Sequence, residues 1–170
     1  MIRDPASKIM TYEQAIAFRQ QLHDRGGKLV VTNGCFDVLH RGHVEYLSKS
    51  RLEGDALLVA VNGDASLRAV KGPTRPIVCE EDRAYLIASL ECVDAVVVFP
   101  NQKPLDLFEQ VPPDIYVKGG DYTEETTDRE EYVVLKAVGA QFVFIPFVAG
   151  RSTTNVIDRI KQILEEESAS

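Results

Sequence analysis

Five short, continuously apolar runs, separated by residues with helix-forming features, constrain the fold of this chain most strongly. The strands that they predict cover residues 28–32 (with the apolar run at 29–31), 56–61, 95–99, 115–117 and 142–147. Because they do not alternate with polar residues, the strands that they form are buried on both faces of a sheet. Strands that alternate with helices are joined by right-handed crossovers and pair in parallel. We therefore predict an α/β fold, a doubly wound parallel sheet of about five strands flanked by helices.

The first 27 residues are predicted to hold one helix before the first strand. Thr11 and Gln14 fit a capping box, in which a hydroxyl and an amide satisfy free backbone groups. Gly26 and Gly27 end this helix, because glycine tolerates the left-handed C-terminal position. The predicted organisation is an N-terminal helical extension (1–27), a main domain (28–165) and a disordered tail (166–170).

Helices are also predicted between the strands and after the last one. They cover residues 44–52, 80–91, 104–110, 127–138 and 152–164. Thr127 and Glu130 fit a second capping box, with Thr127 as the N-cap. The glycines and prolines of residues 62–76 predict a loop there.

Composition limits the partners of this protein. The chain of 170 residues is the size of one domain. Its net charge of −7 argues against a nucleic-acid partner, although a local basic pocket remains compatible with it. No run approaches the roughly 20 apolar residues of a membrane span. Cys35, Cys79 and Cys92 have no metal-ligand spacing and are predicted to be reduced thiols. We predict a cytoplasmic protein without nucleic-acid or membrane partners.

The loop after the first strand is the strongest candidate for a binding site, because ligands of such sheets bind beyond the carboxyl ends of the strands. Gly34 and Gly42 allow close approach of the backbone, and a helix is predicted from His43. The N-terminus of a helix attracts anions, and His40 and His43 would converge on one there. Two plain surface histidines are the alternative. The chain lacks the glycine patterns of dinucleotide and P-loop sites, which sets aside a nicotinamide-dependent oxidoreductase.

At these residues the chain resembles the cytidylyltransferase-like nucleotidyltransferases. Residues 40–43 (His-Arg-Gly-His) match the His-x-Gly-His signature of that family, and residues 33–37 match its Gly-x-Phe-Asp lead-in. Residues 150–154 (Gly-Arg-Ser-Thr-Thr) are similar to its second motif, which opens the last helix. The resemblance covers about residues 28–163 and implies a Rossmann-like fold, with the main domain as the nucleotidyltransferase domain.

Finer similarities point to a group within the family. Residues 71–76, 117–122 and 152–155 resemble the adenylyltransferases of ADP-heptose synthesis. In many bacteria that activity is the C-terminal half of a bifunctional kinase–adenylyltransferase, so we expect a stand-alone version here. Relatives that make CDP-glycerol have an arginine shortly before the second motif, where this chain has Phe147.

The resemblance implies three groups of site residues. The residues predicted as catalytic, at the reacting phosphates, are His40, His43 and Lys71. The residues predicted to bind the nucleotide are Asn33, Gly34, Cys35, Phe36, Gly42, Lys118, Gly119, Asp121, Arg151, Ser152, Thr153 and Thr154. The residues predicted to bind the sugar phosphate are Asp37, Asn62, Asp64, Arg75 and Arg83.

Plainer roles remain open for several of these side chains. Ser152 could simply cap the last helix, and Asp64 could cap the segment that follows it. Lys71 is predicted on a loop that closes over phosphates, but it could lie on a solvated surface. Arg83 could pair with nearby acids, and Asp121 could sit exposed in a glycine turn.

The resemblance implies transfer of AMP from ATP to D-glycero-D-manno-heptose 1-phosphate, giving ADP-heptose and pyrophosphate by direct in-line attack. In relatives such products enter lipopolysaccharide or other surface glycans. Mg²⁺ is expected on the ATP phosphates, with no protein metal site. The alternatives are a cytidylyltransferase acting on glycerol 3-phosphate or another small phosphate acceptor, and a nucleotide-binding module without turnover. A homodimer is a further expectation, through an apolar strip on the first or last helix.

Overall fold

A five-stranded, all-parallel sheet in the order β3-β2-β1-β4-β5 forms the centre of the protein. The computed structural model describes residues 3–120, 122–146 and 150–168. The strands are β1 (Leu29–Gly34), β2 (Ala56–Asn62), β3 (Ala95–Phe99), β4 (Ile115–Gly119) and β5 (Gln141–Ile145). The helices are α1 (Tyr12–Asp24), α2 (Arg41–Arg51), α3 (Asp64–Lys71), α4 (Glu80–Ala88), α5 (Leu105–Gln110), α6 (Arg129–Ala137) and α7 (Thr153–Ser168), with a 3₁₀ helix at Pro5–Lys8. The predicted doubly wound, Rossmann-like α/β fold is confirmed.

Two apolar layers cover the two faces of this sheet. One layer joins side chains of α1, α5 and α6 to alternate residues of the strands, and the other joins α2 and α4 to the intervening ones. Leu58 of β2 belongs to the first layer and its neighbour Leu57 to the second, and neither has exposed surface. Burial of one such side chain contributes about 2 kcal/mol. This double burial is why the strands are continuously apolar.

The N-terminal residues pack on the domain and do not form a separate unit. The capping box of Thr11 is present, and Ala15 and Leu22 lie in the first core layer. Before the helix, the Met10 amide donates to the carbonyl of Val96 in β3 (2.8 Å). The described part of the predicted extension therefore covers the β3 edge and the helical layer beside it.

Two predicted boundaries in the middle of the chain are wrong. The segment predicted as a loop contains α3, whose Leu67 is fully buried. Gly63 and Gly72 lie at the two ends of this helix, and Gly72 has a φ of +96°, so these glycines mark helix ends and do not break the helix. At α6 the N-cap is Asp128, which accepts from two backbone amides, while the Thr127 hydroxyl donates to the carbonyl of Thr123.

The last helix is longer than predicted and stays on the surface. Helix α7 runs to Ser168, so residues 166–168 are helical where a disordered tail was predicted, and residues 169–170 lie outside the described residues. None of its described residues is buried. Even the apolar residue Ile160 is 52% exposed. The homodimer stays a prediction.

Within the described ranges, no helix has both the length and the apolar character needed to cross a membrane.

Candidate active site

The candidate site lies at the carboxyl edge of the sheet, where the chain order reverses between β1 and β4. The chain runs outward from β1 to β2 and β3 on one side, and from β4 to β5 on the other. The pairing of these two central strands ends at Val31 and Tyr116, although both strands continue beyond it. In open parallel sheets, ligands bind in the crevice at such a point. The predicted site residues lie at the ends of β1, β2, β4 and β5 and in the segments that follow these strands.

The two histidines of the first motif stack on each other at the start of α2. The helix begins at Arg41, earlier than predicted, and His40 is its N-cap, with Nδ1 accepting from the Gly42 amide (3.1 Å). The imidazole centroids of His40 and His43 lie 3.9 Å apart. A Cβ on Gly42 would lie 2.9 Å from His40 Cε1 and 3.2 Å from Arg151 Cβ. A side chain here would press on the His40 ring and on Arg151, so Gly42 allows the second motif to lie directly against the first.

Both imidazoles are easier to deprotonate than free histidine. Burial, and next the charge of His40, lower the pKa of His43 to about 4. Burial, and next the charge of Arg151, lower the pKa of His40. The Phe36 ring packs edge-on against His43, with centroids 5.2 Å apart, and His43 Nδ1 is buried without a hydrogen-bond partner among the described residues. With this lowered pKa, His43 is a neutral imidazole at neutral pH.

Acid is expected to destabilise the protein partly through His43. The unfolded chain protonates this residue near pH 6.5, but the folded protein protonates it only near pH 4. Between these values the unfolded state binds more protons, so the free energy of unfolding falls as pH decreases. His43→Asn removes this contribution. Its melting temperature, measured from about pH 7 to about pH 4.5, should therefore fall less than that of the wild type; parallel curves would contradict the assignment.

Asp37 was predicted to bind the sugar phosphate, but its side chain is buried and does not face the site. Its residue surface is 3% exposed, and its carboxylate accepts from the backbone amides of Ile77 (2.8 Å) and Val78 (2.9 Å) and from Arg75 Nε. Asp37 therefore anchors the segment that carries Arg75. The predicted role is corrected to this anchoring one, because a buried carboxylate keeps the hydrogen bonds that offset its desolvation.

Arg83 is also buried behind the site and does not line it. Its surface is 0% exposed. Its guanidinium donates to the carbonyls of Cys35 (2.6 Å), Asn62 (2.7 Å) and Val78 (2.9 Å), and to Asp64 Oδ1 (2.8 Å). Arg83 thus joins the loops after β1 and β2 to the segment before α4. Of the two roles left open for Arg83, the structure shows the pairing with a nearby acid, Asp64, and its donors bind the protein and not a substrate in this arrangement.

The remaining predicted residues after β2 divide between the interior and the surface. Asn62 is buried, and its side-chain amide donates to Ser66 Oγ (2.9 Å), so its predicted contact with the sugar is not available in this arrangement. Asp64 is the first residue of α3, not a cap, and stays partly exposed. Lys71 ends the same helix and is exposed, which corrects its predicted place on a loop.

The loop after β1 combines a strained backbone with a half-buried thiol. Phe36 has a φ of +47°, a conformation that few residues other than glycine adopt. A Cβ on Gly34 would lie 3.0 Å from the Phe36 ring. Burial raises the pKa of the Cys35 thiol, while the charges of Lys71 and then Arg83 oppose that shift. The positive charges of Lys71 and Arg83 are therefore close enough to this loop to affect the Cys35 thiol.

A buried polar network joins β1, β4 and α6 on the other side of the crevice. Tyr116 Oη donates to Asn33 Oδ1 (2.7 Å) and lies 3.4 Å from Glu131 Oε2, and Lys118 Nζ forms an ion pair with the same carboxylate. Lys118 Nζ also lies 5.1 Å from the centroid of the Tyr122 ring. Burial, and next the charge of Glu131, raise the pKa of Tyr116 well above its usual range, so this phenol remains a donor.

Sequence analysis missed Glu131. It stands among the charged residues that open α6, where nothing in the pattern separates an inward carboxylate from outward ones. Lys118 and Gly119, which belong to the predicted site, are the last two residues of β4, although they were predicted to follow a strand that ends at residue 117. Asp121 lies outside the described residues, and so does Phe147.

The second motif lies at the start of α7. Ser152 Oγ accepts from the Asn155 amide (3.1 Å), so the capping role that was left open is present. Thr153 is half-buried, and Thr154 and Arg151 are exposed. These groups are free to meet a ligand beside the histidines. No cluster of three or more His, Cys, Asp or Glu side chains that could hold a metal occurs in the described part of the chain.

The comparison with protein families is consistent with this geometry. Residues 31–159 match the family model described as cytidylyltransferase-like. The match begins in β1, ends in α7, and so includes both motifs.

Curated relatives extend over most of the chain. The chain is 46% identical over 168 residues to a bifunctional protein HldE of Syntrophotalea carbinolica, covering 95% of this chain and 34% of that protein. It is 46% identical over 158 residues to the protein of the same name in Geotalea uraniireducens, covering 93% of this chain and 32% of that protein. The chain thus spans about a third of the length of these relatives.

Solved structures share the fold. A lipopolysaccharide core biosynthesis protein from Thermoplasma volcanium is 31% identical, with a TM-score of 0.60, covering 72% of this chain and 98% of that one. A pantothenate synthetase from Thermus thermophilus is 18% identical, with a TM-score of 0.51, covering 83% of this chain and 62% of that one, and shows a likeness of fold alone.

Proposed function

Because this chain belongs to the cytidylyltransferase-like family of nucleotidyltransferases, we propose that it transfers AMP from ATP to D-glycero-D-manno-heptose 1-phosphate. The products are ADP-heptose and pyrophosphate. The adenylyltransferase resemblance of residues 71–76, 117–122 and 152–155 supports this choice of reaction. The name of the 31% identical lipopolysaccharide core biosynthesis protein agrees with a role in the assembly of surface glycans.

The observation that carries the proposal is the contact between the two motifs. His40 stacks on His43, and Arg151 of the second motif lies beside Gly42 of the first, with its Cβ 3.2 Å from the position that a Cβ on Gly42 would take. Two helix N-termini, those of α2 and α7, therefore meet at one point with imidazoles, hydroxyls and a guanidinium around them. Such a point favours a polyanion, because free backbone N–H groups and cations both stabilise phosphate charge. A triphosphate fits this arrangement.

The reaction follows from positioning and charge stabilisation. A phosphate oxygen of the sugar attacks the α-phosphorus of ATP in line, the bond to the bridging oxygen breaks, and pyrophosphate leaves. Neutral His40 and His43 donate hydrogen bonds to the α-phosphate oxygens as charge develops there. Ser152, Thr153 and Thr154 hold the outer phosphates, and Mg²⁺ arrives on them as part of the substrate. No covalent intermediate is needed.

The sugar phosphate lies on the β2 side of the crevice. Asp37, Asn62 and Arg83 are buried, so the side chains that reach the acceptor there are Arg75 and Asp64. Arg75 is held by Asp37 and offers a guanidinium for the acceptor phosphate. Asp64 remains partly exposed and can accept from sugar hydroxyls.

Pyrophosphate release tests this function directly. The purified protein is incubated with Mg²⁺ and either ATP or CTP, crossed with heptose 1-phosphate or glycerol 3-phosphate. We expect release only with ATP and the heptose. Release with CTP and glycerol 3-phosphate would still show nucleotidyl transfer, but the protein would then be a glycerol 3-phosphate cytidylyltransferase. Nucleotide binding without release in any combination would overturn the proposal and would favour either another phosphate acceptor or a non-catalytic module.

A further inference from the structure

We propose that Glu131 is a positioning residue, which holds Lys118 and Asn33 for the nucleoside half of the nucleotide at the β1/β4 crevice. The inference rests on the proposed function in one respect, namely that the crevice binds a nucleotide. The juxtaposition that supports it is one carboxylate on α6 in contact with functional side chains from both central strands. No other described carboxylate contacts both of these strands at their carboxyl ends.

Burial of the Glu131 carboxylate at this place is unfavourable unless its charge is paired. The surface of Glu131 is 5% exposed, and a buried carboxylate needs paired charge and hydrogen bonds to offset its desolvation. The contacts meet that need: Lys118 Nζ pairs with Oε2, the Asn33 amide lies 3.5 Å from Oε1, and the Tyr116 hydroxyl lies 3.4 Å from Oε2. All three partners lie on the strands that border the crevice.

The network sets the direction of the Asn33 amide. Its Oδ1 accepts from Tyr116, which stays protonated, and its Nδ2 faces Glu131. An amide fixed in this way presents a defined donor edge, whereas an unrestrained amide can turn over. One N–H of Nδ2 faces Glu131, so the other N–H is the donor left for a ligand at the carboxyl end of β1, where Asn33 is the last residue but one.

The Lys118–Glu131 ion pair has no net charge, so it favours the uncharged nucleoside over the phosphates of the nucleotide. Lys118 is neutralised by Glu131, and its ammonium lies against the rings of Tyr116 (5.9 Å) and Tyr122 (5.1 Å). A phosphate would meet the carboxylate as well as the ammonium, so this side suits uncharged acceptors such as ribose hydroxyls or a base edge. The triphosphate is left to the histidines and Arg151, where the described residues place no carboxylate in contact.

The test compares binding of two ligands that share phosphates and differ in the nucleoside. Isothermal titration calorimetry measures the Kd of Mg·ATP and of Mg·pyrophosphate for the wild type and for Glu131→Gln, which keeps the shape and loses the charge. We expect the Kd of ATP to rise about tenfold, as for one lost charge-assisted hydrogen bond, and the Kd of pyrophosphate to change less than about twofold. Equal changes for the two ligands would overturn the inference.

Two further variants keep the result interpretable. Lys118→Met should give the same pattern, and its effect with Glu131→Gln should be strongly non-additive, because the two residues act as one pair. If Glu131→Gln does not fold, Lys118→Met alone decides: an unchanged Kd for ATP overturns the inference.

Asp94→Asn is the matched control. Asp94 is a partly buried carboxylate at the opposite edge of the sheet that binds Arg51 and the Leu57 amide, and its replacement should lower stability without changing either Kd.

These titrations separate the inference from the proposed function. Wild-type protein that binds ATP but releases no pyrophosphate with any acceptor overturns the adenylyltransferase and leaves the Glu131 comparison intact. Pyrophosphate release by the wild type, together with an unchanged ATP Kd in Glu131→Gln, overturns only the positioning role. Wild-type protein that binds neither ATP nor CTP overturns both.

Discussion

His43→Ala is expected to lower kcat by about 10²–10³-fold, as for removal of one donor that stabilises developing charge. The free energy of unfolding should change by less than about 2 kcal/mol. The reason is that Nδ1 of His43 has no partner in the folded protein, so the substitution breaks no hydrogen bond of the described structure at that atom. It removes only ring packing against Phe36 and His40.

The measurement is pyrophosphate release at saturating ATP and acceptor, with urea unfolding of the same preparations. His23→Ala is the control, because His23 is an exposed histidine in the last turn of α1. It should match the wild type in both measurements. If His43→Ala loses stability by several kcal/mol while its folded fraction turns over at the wild-type rate, then His43 is a structural residue and the assigned role is wrong.

Arg83→Met is expected to have the largest effect on stability, a loss on the order of 3–5 kcal/mol. The guanidinium has no exposed surface, and it satisfies the carbonyls of Cys35, Asn62 and Val78 together with the carboxylate of Asp64. Methionine fills much of the volume but leaves these acceptors without donors. Each buried acceptor then carries its own desolvation cost.

Urea unfolding of Arg83→Met, beside Arg68→Met, measures this effect. Arg68 is an exposed residue of α3 and its replacement should change stability by less than about 0.5 kcal/mol. Arg83→Lys should fall between the two, because an ammonium keeps the charge but cannot reach three separate segments at once. A wild-type unfolding curve for Arg83→Met, combined with a raised KM for the sugar phosphate, would restore the original prediction that Arg83 binds substrate.

The sheet was predictable because its signal is local and repeated. A strand buried on both faces has to be apolar at every position, so β2 and β3 can be recognised one at a time. The loop motif with His40 and His43 was predictable for a similar reason. A strand end, two glycines and a helix start follow one another within a few residues, and their geometry needs no distant partner.

The helix α3 shows where local reasoning stops. Gly63, Gly72 and the nearby prolines indicate a break in regular structure, and they do lie at breaks, but the eight residues between the glycines form a helix that buries Leu67. Burial against the sheet outweighs the weak local preference. No local pattern distinguishes a loop from a short helix between two such glycines.

The sequence by itself determined the sheet, the connections and the pair of motifs that meet at the carboxyl edge, because backbone pairing and apolar burial follow from residues that are neighbours in the chain. Only the tertiary structure decided which polar side chains face the ligand. Asp37 and Arg83 turn inward and Glu131 joins the crevice, because their hydrogen-bond partners come from segments far apart in the chain. Where a charged group lies depends on which of those partners offsets its desolvation, and that is settled only when the segments meet.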